Sequence, residues 1–92
     1  MSLKFEWDED KAKSNLKKHG ITFEEAISVL NDQFSLTIED IEHSVTEQRF
    51  IDIGFSNKNR LLVVHYTERH DKIRIISSRL ATKKEIKNYE NN

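Results

Sequence analysis

Two residue types in the second half of this 92-residue chain could handle a phosphodiester. One is arginine, at Arg49, Arg60, Arg69, Arg74 and Arg79, and the other is a mid-strand imidazole, His65, followed closely by Glu68. A guanidinium presents a planar fork of donors that binds phosphate bidentately and never loses its charge. A histidine titrates near neutrality and can take or give a proton. Arg79 and Arg74 are the first choices for clamping a phosphate, with His65 and Glu68 as candidate proton-transfer groups. Arg49, Arg60 and Arg69 extend a binding track, and Tyr89 is an outside possibility for proton transfer. Each has an ordinary alternative: a histidine satisfied on a sheet face, solvated charges at a hairpin mouth, or an arginine bracing a helix carboxylate such as Glu85.

Charge is divided along the chain. Residues 1–47 hold 5 Lys+Arg against 11 Asp+Glu, and residues 48–92 hold 10 against 5, so −6 and +5 give the overall −1. Such asymmetry points to nucleic-acid contact or to acidic helices neutralising a basic sheet. No cysteine is present, which removes disulfides, thiolate chemistry and most zinc sites. His19, His43 and His70 show no metal-ligand spacing and read as a helix-end cation and loop residues; neither a metal nor a cofactor is expected. No apolar run approaches a membrane span, and the start at Met1-Ser2-Leu3-Lys4 opens no signal-peptide pattern, so a cytoplasmic location is expected.

The elements that must position these groups are legible in outline. One domain over residues 1–92 is expected, because the chain has no proline, only Gly20 and Gly54, and no linker-like stretch. Lys4 to Trp7 reads as a short strand. Asp8 caps a helix that ends in Lys17-Lys18-His19 before Gly20, with Ala12, Leu16 and His19 on one face. Thr22-Phe23-Glu24-Glu25 reads as a capping box for a second helix, and Thr82-Lys83-Lys84-Glu85 as one for the last. Between them lie β-rich runs at Leu36 to Ile41, Arg49 to Phe55, Leu61 to Thr67 and Ile73 to Arg79. Strict alternation puts Ile73, Ile75, Ser77 and Arg79 on one face and Arg74, Ile76 and Ser78 on the other. The fold class is α+β, with helices against an antiparallel sheet.

Several stretches together resemble the BrnT family of toxins. They are Phe5-Glu6-Trp7-Asp8, Asn15 to Ala26, Glu47-Gln48-Arg49-Phe50, Gly54, Val63 to Arg69 and Arg74 to Thr82, nearly the whole chain. The resemblance implies a RelE-like fold: an antiparallel β-sheet with two N-terminal helices and a C-terminal helix. It also implies a type II toxin that cleaves RNA and stops translation. The partner it implies is a BrnA-like ribbon-helix-helix antitoxin, which binds DNA, so that the toxin meets DNA only through the complex. RNA can be cleaved by its own 2′-OH, so such an activity needs no metal or protein nucleophile. Two other functions fit the residues: a RelE/ParE-like toxin acting on a target other than RNA, and a non-catalytic module whose basic sheet docks an acidic segment.

Overall fold

Capping and charge start the helices where the side chains can satisfy free backbone N–H groups. In the computed structural model, which describes residues 4–91, Asp8 accepts from the N–H groups of Asp10 and Lys11 and opens α1 (Glu9–His19). Gly20 closes it in the left-handed region at φ 70°, where its N–H bonds to Leu16. Thr22 caps α2 (Phe23–Leu30) through the Glu25 N–H, but Glu25 does not reach back as the expected capping box requires. Its carboxylate is buried and engaged by Arg60 and Ser56. The expected box is complete only in α3 (Lys83–Glu90), where Glu85 accepts from the Thr82 N–H. Met1–Leu3, part of the leader reading above, and Asn92 lie outside the described residues.

The strands are β1 (Lys4–Glu6), β2 (Leu36–Glu39), β3 (Arg49–Phe55), β4 (Leu61–Arg69) and β5 (Lys72–Leu80), in the sheet order β1-β5-β4-β3-β2. The meander β2 to β5 is antiparallel as expected, and β1 joins the edge in parallel with β5, making the sheet mixed. Helices α1 and α2 cover one face. Ile21, Phe23, Ala26 and Val29 there meet Leu62, Val64, Tyr66 and Ile75 in the core. The buried α1 residue is Asn15, while Leu16, on the face it shares with Ala12 and His19, is about half exposed. The Asn15 amide donates to the carbonyls of Ile21 and Ser78 and accepts from the Ser78 N–H. β1 pairs with β5 only at residues 72–74, so the side-chain amide serves Ser78 as a neighbouring strand would.

One irregularity determines what the other face carries. Tyr66 pairs with Ile75 and His65 with Ser77, so Ile76 is an extra residue in β5, a β-bulge. Before the bulge Ile73 and Ile75 face the helices; after it Ser78 and Leu80 do. Arg74 and Arg79, expected on opposite faces, therefore project from the same open face. A one-residue slip inverts every later side chain, so the bulge accounts for the difference.

Candidate functional site

The open face is ordered by cross-strand register. Arg49, Thr67 and Arg74 form one row, Ile51, His65 and Ser77 the next, and Ile53, Val63 and Arg79 the third. Above these rows fold the 40–48 segment, which includes a single 3-10 turn at Ile41–His43, and α3. The segment is tied to the sheet by short bonds: Asp40 N–H to Arg49 O at 2.8 Å, Arg49 N–H to Ser44 Oγ at 3.0 Å, and Thr67 Oγ1 to Gln48 O at 2.6 Å.

These ties bring a buried carboxylate to the histidine. Asp40 is 8% exposed, and its Oδ2 lies 2.8 Å from His43 Nδ1 and 3.8 Å from His65 Nδ1. A carboxylate bonded at Nδ1 holds an imidazole in the tautomer whose Nε2 is free to accept a proton. Asp40, His43, Arg49, His65, Ile76 and Ser77 line a cleft of about 230 Å³. The Arg49 Nε is a buried donor without a protein partner among the described residues. A buried donor left without a partner on a residue that lines a cleft is a candidate contact for an anionic ligand. Burial is the main cause that depresses the His65 pKa from its ordinary value, and the Arg79 charge adds to it. Asp40 opposes the shift, His43 adds to it and Glu85 opposes it. The lowering favours the neutral imidazole, the form that acts as a base.

Arg79 stands beside this cleft with its fork held by Glu85: Nη1 to Oε1 at 2.7 Å and Nη2 to Oε2 at 3.0 Å. Arg74 lies on the same face and bonds to Glu6 at 3.3 Å. Arg69 bonds to Glu47 at 3.2 Å, and the same carboxylate is 4.0 Å from Arg49. Every arginine thus has a carboxylate neighbour, and a phosphate reaching any of them competes with an internal anion.

Three expected participants are placed elsewhere. Glu68 is three positions from His65 on a regular strand, so it projects from the helix-covered face at the exposed hairpin end and cannot share a proton path with it. Arg60 does not extend the track: its Nε bonds to buried Glu25 at 2.9 Å, and its Nη2 to Glu25 Oε1 and the Gly20 carbonyl. Its role is to clamp the β3–β4 turn to α2. Tyr89 sits on α3 against Phe55, two rows from His65 and one beyond Arg79 in the register, so it does not join the His65 cleft. Conversely, sequence reasoning missed Asp40 and treated His43 as a loop residue without metal-ligand spacing. The Asp40-Ile41-Glu42-His43 spacing was the available signal, since i,i+3 residues meet within one turn. Among the described residues no group of three or more His, Cys, Asp or Glu is arranged to hold a metal ion.

Three helices and a five-stranded mixed sheet, with guanidinium and imidazole groups on the open face, define a small α+β domain. Residues 7–85 match the family model described as the ribonuclease toxin BrnT of type II toxin–antitoxin systems, and the chain belongs to that family. It is therefore a ribonuclease toxin, with RNA as its target and an antitoxin as its partner. The crystal structure of the ribonuclease toxin BrnT from Brucella abortus superposes with a TM-score of 0.68 at 24% identity, over 89% of this chain and 100% of that one. No curated protein matches the chain.

Proposed function

We propose that the cleft at His65 is the ribonuclease site and that it cleaves RNA by transfer within the strand. His65 takes the proton from a ribose 2′-OH as that oxygen attacks the adjacent phosphorus. Arg79 and Arg49 neutralise the two non-bridging oxygens of the phosphorane, whose charge exceeds that of the ground state, so their bonds strengthen as the barrier is climbed. The P–O5′ bond then breaks, and the 5′-oxygen takes the proton that His65 now carries, directly or through water, which returns the imidazole to its neutral form. The products are a 2′,3′-cyclic phosphate and a 5′-hydroxyl end. Asp40 is a positioning residue that fixes the tautomer of His43 and biases the charge of His65. Arg74 and Arg69 lie farther along the face and contact flanking phosphates. Glu68 and Arg60 have no part in this scheme.

The observation that carries the reading is the convergence of His65, Asp40, His43 and the unpartnered Arg49 Nε in one cleft beside Arg79. The test is cleavage of a defined RNA by the purified protein in the presence of a chelator, with the ends identified chemically. Cyclic-phosphate and 5′-hydroxyl ends, lost in His65→Ala, are expected. Ends carrying a 3′-hydroxyl and a 5′-phosphate, or full activity in His65→Ala, refute the scheme.

In the cell, cleavage of messenger RNA stops translation, and a BrnA-like ribbon-helix-helix antitoxin restrains the toxin and carries the complex to DNA. A cytoplasmic location follows from such a target; among the described residues no helix is long and apolar enough to cross a membrane.

A further inference from the structure

A second concavity lies at the end of the sheet away from the β4–β5 hairpin, where the end of β3 meets the C-terminal parts of α2 and α3. Phe55 ends β3 there and is 45% exposed, and Phe34, in the turn between α2 and β2, is 69% exposed. Neither ring sits on loose chain. Asp32 accepts from the Phe34 N–H through Oδ1 at 3.1 Å and from the Phe55 N–H through Oδ2 at 3.2 Å, so one carboxylate fixes both backbones. Tyr89 of α3 meets Phe55 edge-on, with centroids 5.8 Å apart, and its hydroxyl donates to the Phe34 carbonyl at 3.3 Å. The amides of Asn57 and Asn59 line the same opening, which has a volume of about 380 Å³.

From this arrangement we infer that Phe34, Phe55 and Tyr89 form a subsite for one nucleobase of the RNA substrate, next to the scissile phosphate. The inference rests on the ribonuclease reading of the open face. Its geometric basis is α3, which links the two places: Glu85 holds the Arg79 fork, and Tyr89 lies one turn farther along. Four residues of helix advance about 6 Å, between one and two stacked nucleotide steps of about 3.4 Å. That is the reach of a nucleotide splayed out of a single strand, the form in which RNA is read by sequence. Exposed aromatic faces stack on any base, and side-chain amides discriminate by bonding to its edge. A pair of large apolar rings left in water on so small a domain calls for an occupant. The amide rim and the adjacent phosphate clamp favour a base over an apolar peptide.

Two measurements decide it. Adenosine 5′-monophosphate, titrated against the full chain, should move the ring resonances of Phe34, Phe55 and Tyr89, whereas ribose 5-phosphate should leave them in place; rings unmoved by the nucleotide overturn the subsite. In RNA cleavage, Phe34→Ala should lower kcat/KM by about fivefold to a hundredfold. It should also flatten the base preference at the cut site, with Phe34→Trp recovering both. Unchanged rate and site profile in Phe34→Ala and Phe55→Ala overturn the subsite but leave the His65 cleft standing, since His65→Ala tests that separately. If these substitutions spare cleavage and abolish antitoxin binding, the rings belong to the antitoxin interface and the inference is wrong. If the wild-type protein cleaves no RNA, the ribonuclease reading of the face fails, and the nucleotide titration still decides whether the rings hold a base.

Discussion

Replacing Arg79 with alanine separates two tasks that one guanidinium performs. The first is structural: the fork bonds both oxygens of Glu85 at 2.7 and 3.0 Å, and Glu85 in turn accepts from the Thr82 N–H at 2.8 Å. The Arg79 bond is the largest cause that pulls the Glu85 carboxyl from its ordinary 4.5 down to about 2. A shift of that size corresponds to roughly 3 kcal/mol in all. Thr82 holds part of it, and solvent screens a pair whose arginine side chain is 36% exposed, leaving about 1 kcal/mol to Arg79. Arg79→Ala should therefore lower Tm at pH 7 by only about 4–8 °C. The second task is chemical. Loss of a charge-assisted contact to the phosphorane costs about 3–4 kcal/mol, or two to three orders of magnitude in rate. Arg79→Lys keeps the charge without the fork and should fall between. The assay is a thermal melt and an initial RNA-cleavage rate on the same purified variant. Because the folded-state pKa of Glu85 is depressed, its stabilisation is complete above the ordinary carboxyl value and is lost as pH falls toward 2. The Tm difference between wild type and variant should shrink over that window. Wild-type cleavage by Arg79→Ala refutes the clamp, and a Tm loss far beyond 8 °C refutes the screened estimate.

Four other outcomes are expected. The acid limb of the wild-type pH–rate profile should lie below the ordinary imidazole value, because burial and Arg79 depress His65, and activity should rise with pH through it. Asp40→Asn removes a charge that raises that pKa, so the limb should move to still lower pH; an upward movement contradicts the assignment. Arg60→Ala strands the buried Glu25 carboxylate and should cost about 2–4 kcal/mol in a chemical denaturation curve, while RNA cleavage by the remaining folded protein is unchanged. Gly54→Ala places a Cβ 2.8 Å from Ser35 Cβ and 3.2 Å from Val29 Cγ1, and overpacking of about 1–3 kcal/mol should appear as a lower Tm; an unchanged melt shows that the β2 approach yields freely.

Local signals in the sequence determined the elements and their order. The Asp8 and Thr82 caps, the Gly20 stop and the β-branched runs each act through neighbours within a few residues, which is why they are legible without coordinates. Composition likewise placed the arginines together in the second half, and the stretches shared with BrnT toxins pointed to the family that the comparisons then showed. The tertiary structure alone decided which of those residues meet. A single extra residue, Ile76, turned Arg74 and Arg79 to the same face, and no local preference announces where a ladder will slip. Glu25 left its own helix terminus for Arg60, 35 positions away, because burial makes a guanidinium partner worth more to a carboxylate than an exposed N–H. Asp40 came to His65 only because the 40–48 segment folds over the sheet, tied by backbone bonds to Arg49. Glu68, adjacent in sequence to the same strand's chemistry, was carried to the other face by the two-residue period of the pleat.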